Sequence, residues 1–151
     1  MSESSIKKVA ILGKLVTKFK APFDDPSWDI WTFNKHQIEP PRVTTWFDIH
    51  ARGANPRADI TRQNFPFEAV ERLVGGQYFN NSVSYLIAYA VLLNYREIAL
   101  YGVQFLRDSD EQRGGQYLNV RELLMFARGR GIKVSAPYDT VMVKEYPLYG
   151  V

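Results

Sequence analysis

The chain has 151 residues, 46% hydrophobic and 23% charged, the balance of one globular domain able to bury a sizeable core. It has no cysteine, which excludes disulfides, thiolate metal sites and cysteine nucleophiles, and no run of about 18 apolar residues, which excludes a helical membrane span. Its net charge of +3 comes from dispersed lysines and arginines rather than a basic stripe, which disfavours nucleic acid and suits a small anionic ligand.

The first five residues are polar and offer no apolar stretch for a secretory leader, so the expected location is cytoplasmic. Residues 8–13 form an apolar run ending in Gly13, which predicts a central strand buried on both faces. Residues 14–20 alternate basic and apolar types, and residues 21–26 hold two prolines and two aspartates, a loop composition. Residues 29–34 read as a second strand. The stretch between, residues 14–28, is long enough for a parallel crossover. After Pro40-Pro41, residues 43–50 are β-branched and aromatic and predict a third strand. Residues 51–65 show no periodicity and carry three arginines; a long irregular stretch of this kind is usually functional or mobile.

Residues 66–74 predict a short amphipathic helix with Pro66 in its first turn, stopped by Gly75-Gly76. Asn80, Asn81 and Ser82 are helix-capping types. Residues 83–93 are apolar almost all round, as in a helix covered on most sides. Residues 97–103 read as a buried strand. A polar loop with Asp108, Asp110 and Glu111 follows; it lacks the spacing of a calcium loop. The stripe Val120, Leu123, Leu124 and Ala127 has helical spacing, Gly129 and Gly131 stop that helix, and residues 132–136 predict a last strand. Residues 138–151 read as an edge strand or a dimer arm. The whole is one α/β domain. It is a Rossmann-like open, mostly parallel twisted sheet of about five or six strands with helices on both faces.

Ligands of such sheets bind beyond the strand C-termini, where strand order reverses. That rule gathers Gly13, Lys14, Asn34, His50, Arg52, Asn80, Asn81, Ser82, Gly102 and Gln104. A helix start at Asn80-Asn81-Ser82 offers unpaired N–H groups to an anion, and equally caps its own helix. Gly13 permits close backbone approach by a nucleotide or simply makes a turn, and Lys14 adds a phosphate contact. Asn34 pairs a donor with an acceptor suited to a ribose hydroxyl or base edge, or forms a turn. Arg52 offers a fork for phosphate. His50 stands where general acid–base chemistry is done, or is held by neighbouring backbone. No nucleophile elbow or phosphate-loop motif is present.

The run Asn94-Tyr95-Arg96-Glu97-Ile98-Ala99-Leu100-Tyr101-Gly102-Val103-Gln104-Phe105 resembles a segment of bacterial sialyltransferases that use CMP-sialic acid. There a polar turn and an apolar helix precede G-Y-K-E-I-Y-L-x-G-I-D-F. Archaeal-type hydroxymethylpterin diphosphokinases are similar in the same place. Pro22-Phe23-Asp24-Asp25-Pro26-Ser27-Trp28-Asp29-Ile30-Trp31 and Trp46-Phe47-Asp48-Ile49-His50, with residues 127–134, resemble small Rossmann-like proteins of tailed bacteriophages over nearly the whole chain. The resemblances imply the fold and a nucleotide pocket. The chain departs from them at Lys14–Lys18, Gln104 and Asn80-Asn81, and they do not imply the reaction.

Three functions are expected from this. The first is a phage-encoded module that binds a nucleotide or nucleotide-derived anion, sequestering it or modulating a host enzyme. The second is a nucleotide-sugar glycosyltransferase-like, phosphoryl or nucleotidyl transferase with His50 as base. The third is a non-catalytic interaction protein whose Trp28, Trp31, Tyr146 and Tyr149 face a second copy or a host protein. The sequence requires no cofactor and no metal, and expects no membrane partner.

Overall fold

The computed structural model describes residues 6–77, 79–103 and 115–150. The strands are β1 (Lys8–Leu12), β2 (Trp28–Phe33), β3 (Thr45–Asp48), β4 (Ile60–Thr61), β5 (Glu97–Tyr101) and β6 (Lys133–Ser135). The helices are α1 (Phe67–Val74), α2 (Ser82–Leu92) and α3 (Gln116–Gly129). The six strands form one sheet in the order β4-β3-β2-β1-β5-β6, every neighbouring pair parallel. This is the Rossmann-like α/β arrangement the sequence predicts. β1 sits inside it, Ala10 lying opposite Ile30 of β2 and Ala99 of β5. Its residues 9–12 are wholly buried, which explains their unbroken apolar run.

Strand alternation divides the core in two. Val9, Ile11, Trp31, Phe47, Ile98 and Leu100 face one way, into a cluster that includes residues of all three α-helices. Trp31 lies at its centre, within 5.0–5.5 Å of the rings of Phe47, Tyr89 and Tyr95. The Tyr95 hydroxyl donates to the Asp29 carboxylate. Burial, and then Asp29, push that phenol well above its ordinary value. Of the four aromatics expected on an interaction surface, Trp31 is thus only 2% exposed and belongs to the core, whereas Tyr146 and Tyr149 are exposed.

The opposite face is covered more thinly. Ala10, Leu12, Ala21 and Ile30 meet Phe23, Trp28 and Tyr101 there, beneath a 3₁₀ helix over Val16–Lys20 and the loop before β2. Arg42 holds that loop by donating to the carbonyls of Phe23, Asp25 and Trp28 at 2.9–3.0 Å. Phe23, Trp28 and Ile30, close together in the sequence, therefore build this face of the sheet.

A buried hydrogen-bond chain ties the 3₁₀ helix to the segment after β2. The Thr32 hydroxyl donates to the Leu12 carbonyl at 2.9 Å, so its oxygen accepts from His36 Nε2 at 2.6 Å. That places the imidazole proton on Nε2 and leaves Nδ1 to accept from Lys18 Nζ at 2.8 Å. Lys18 also donates to the Ile38 carbonyl at 2.6 Å.

The stretch 51–65, predicted to be irregular, contributes β4, two residues paired with Phe47 and Asp48. A strand this short leaves no periodic trace. Residues 137–150 contain a 3₁₀ helix at Thr140–Val143 and no strand. No described helix is long and apolar enough to cross a membrane.

Candidate functional site at the C-terminal rim of the sheet

Beyond the C-terminal ends of the strands lies a cavity of about 710 Å³. Its wall takes Gly13 and Lys14 after β1, Asn34 after β2, His50 after β3 and Gly102 after β5, with Asn80, Asn81 and Ser82 at the start of α2. The corners singled out by the sequence are thus neighbours in space. The chain leaves β1 for β2 on one side, and β5 pairs on the other, so the cavity sits at the reversal of strand order.

The two glycines are a seam between backbones. Gly13 N–H donates to the Tyr101 carbonyl at 2.8 Å, and the Gly102 carbonyl accepts from Leu15 N–H at 3.1 Å. Gly102 N–H donates to Thr17 Oγ1 at 3.0 Å, and its φ of +67° is left-handed. Their polar groups are therefore spent on the fold, and the turn reading of Gly13 fits the geometry.

Asn34 is also left-handed, at φ +62°. Its carbonyl accepts from Trp46 Nε1 at 2.6 Å and Asn55 Nδ2 at 3.1 Å, and its N–H donates to the Phe47 carbonyl. Its side-chain oxygen is buried with no hydrogen-bond partner. The turn reading of Asn34 fits its backbone geometry.

Asn81 is the N-cap of α2, its Oδ1 accepting from Ser84 N–H at 3.0 Å. Asn119 of α3, 4% exposed, accepts from Asn80 N–H at 3.1 Å and steadies this turn. With the cap satisfied by Asn81, the first-turn N–H groups of Ser82 and Val83 have no partner among the described residues. Both residues line the cavity.

His50 is paired with a residue that sequence reasoning missed. Asp48, at the end of β3, is 3% exposed and places Oδ1 2.9 Å from His50 Nδ1. Its Oδ1 also accepts from His50 N–H at 3.3 Å, and Oδ2 accepts from Asn55 N–H at 2.9 Å. Burial pushes the Asp48 carboxyl up, but the bonds from Asn55 and His50 outweigh it and hold the group below its ordinary value. An ionised Asp48 favours the His50 tautomer with its proton on Nδ1, and Nε2 has no partner among the described residues on an imidazole 56% exposed. The signal was the i, i+2 spacing at a strand end, which keeps both side chains on one face.

Arg52 lies elsewhere. The chain bends at residues 51–53 with Gly53 at φ +68°, and Arg52 is exposed and does not line the cavity. Arg62, just after β4, lines it instead, with its guanidinium 5.0 Å from the Phe67 ring and a 3.3 Å bond to the Ile49 carbonyl. Gln104 and the acidic loop with Asp108, Asp110 and Glu111 lie outside the described residues. Among those described, no three acidic, histidine or cysteine side chains cluster as metal ligands. No protein-family model, curated protein or solved structure matches the chain.

Proposed function

We propose that this protein binds a nucleotide or nucleotide-derived anion at the C-terminal rim of its sheet. The observation that carries the reading is that the N–H groups of Ser82 and Val83, which have no partner among the described residues, belong to residues lining a cavity of about 710 Å³. Such a volume suits a nucleotide-sized ligand, and a helix start favours negative charge by its partial positive potential. Lys14 and Arg62 add cationic side chains to the wall. The unpartnered Asn34 oxygen is an acceptor for a ligand hydroxyl or amine. Sequestration of the ligand, rather than its turnover, needs no further group.

Replacing Ser82 with aspartate separates binding from folding. A carboxylate in the first turn of α2 is expected to leave stability unchanged or raise it by about 0.3–1 kcal/mol. The same charge is expected to weaken an anionic ligand by about tenfold through like-charge repulsion. Thermal-shift measurements with a panel of nucleotides and sugar nucleotides read both effects. A wild-type protein indifferent to the whole panel would sink the reading.

A second reading is favoured by the Asp48–His50 pair alone. In a nucleotidyl, phosphoryl or glycosyl transferase, His50 Nε2 would take the proton from an acceptor hydroxyl or water. The acceptor oxygen bonds to phosphorus or the anomeric carbon as the bond to the leaving group breaks, that group being pyrophosphate in nucleotidyl transfer and the nucleotide in phosphoryl or glycosyl transfer. His50→Ala is then expected to reduce turnover about a hundredfold, the usual scale for a general base, with affinity retained. No turnover of any bound ligand by the wild type removes this reading and leaves the first intact.

A further inference from the structure

Next to the cavity, and sharing Lys14 with it, runs a groove of about 430 Å³ between the 3₁₀ helix and residues 35–38. Lys14, Lys18 and Lys35 line it together with Val16, Phe19, Gln37 and Ile38, and among the described residues no carboxylate does. Lys18 is the unusual member. It is 3% exposed, yet its ammonium meets only the neutral acceptors His36 Nδ1 and the Ile38 carbonyl, besides the Phe19 ring at 5.1 Å. Buried charges are normally paired with an opposite charge, because desolvation is costly. Among the described residues this one has no anion beside it.

We propose that the groove receives a second phosphoryl group of the ligand, so that the ligand class is a nucleoside diphosphate or a longer or sugar-capped relative. The proposal rests on the reading of α2 as the first anion site, and Lys14 joins the two sites. Three ammonium groups without an acid match the several oxygens and multiple charge of a phosphate better than a single carboxylate, and lysine binds phosphate as a point charge. The positive field is already felt by His36. Burial first, then Lys18 and Lys14, push its imidazole down to about 4, so at neutral pH it is an uncharged acceptor for Lys18. An incoming phosphate supplies the counter-charge that Lys18 lacks.

Titration of the full chain with inorganic pyrophosphate at constant ionic strength, followed by backbone amide NMR, tests this. Saturable shifts are expected at residues 16–19 and 35–38 and separately at Ser82 and Val83. Lys35→Gln changes an exposed side chain that is not part of the buried network. It is expected to weaken pyrophosphate at the groove about tenfold, the worth of one charge-assisted contact, with the Ser82 and Val83 response kept. Shifts at Ser82 and Val83 alone would overturn the groove and leave the helix-terminus reading standing. So would a groove response that Lys35→Gln does not alter. A groove response with Ser82 and Val83 silent would retain the groove as an anion site and sink the helix-terminus reading instead. Silence in both places overturns both.

Discussion

Gly13→Ala is expected to destabilise the protein by about 3 kcal/mol, the upper range for forcing extra atoms into a packed core. For a chain of this size the melting temperature should drop by about 6–12 °C. The cause is local and steric. An alanine Cβ would lie 2.3 Å from the Gly102 oxygen, 2.9 Å from its carbonyl carbon and 2.9 Å from Val103 Cγ2. The first two are backbone atoms, and the Gly102 carbonyl is held by Leu15 N–H. Gly102 is itself left-handed, and a Cβ built on it would lie 2.9 Å from Gly13 O and from Lys18 Cβ, so the two turns are packed too closely for a small shift to relieve the clash. Gly129→Ala is the control. Nothing lies within 4 Å of a Cβ there, and alanine in place of a helical glycine should stabilise by about 0.5–1 kcal/mol. A Gly13→Ala protein melting at the wild-type temperature would show that the two turns are not in contact.

The second large effect is a loss of stability in mild acid, and His36 is its source. In the unfolded chain the imidazole protonates near 6.5, whereas in the fold it stays neutral until about pH 4. Burial is the main cause, followed by the charges of Lys18 and Lys14. Between those two pH values the unfolded chain takes up a proton that the folded chain refuses. The stabilisation is therefore complete above pH 6.5 and falls away as the pH drops towards 4. At about 1.4 kcal/mol per pH unit a fully shielded group would lose about 3 kcal/mol by pH 4; His36 is only half-buried and partly screened by solvent, so the expected loss is about 1–2 kcal/mol. His36→Gln keeps an acceptor for Lys18 and removes the titration. Urea unfolding of both proteins from pH 4 to 7.5 should give a markedly flatter curve for the variant. Two parallel curves would mean that His36 is not shielded as its contacts with Thr32, Lys18 and the edge of Trp46 require.

Both effects depend on contacts that single residues do not announce, and this marks the limit of what the sequence makes legible. The buried strand β1 and helix α2 are plain from unbroken apolar runs, because a parallel sheet demands them. The cavity's position follows from topology alone, since strand ends and helix starts share one rim in any such sheet. What periodicity cannot reach is pairing between distant loops. Nothing in the sequence pairs Lys18 with His36, which meet only because the 3₁₀ helix packs against the segment after β2. Arg52 and Arg62 are indistinguishable in a stretch without pattern, and only the position of β4 sends the second to the cavity. Trp31 carries the same composition as a surface aromatic, and only strand alternation with Ile30 sets the two on opposite faces of β2. Asp48 is legible only as a strand residue, because a partner two positions from His50 belongs to no sequence motif.

The central place of β1 also governs the order in which the molecule can be assembled on the ribosome. Its partner on one flank, β2, emerges within about twenty residues, and β3 and β4 follow. The partner on the other flank, β5, is synthesised only after a further stretch that includes α1 and α2. At roughly 5–20 residues per second, β1 keeps one unpaired apolar edge for about 4–17 seconds. A stalled or truncated nascent chain ending before Glu97 therefore presents a sticky half-sheet, the kind of species that chaperones bind.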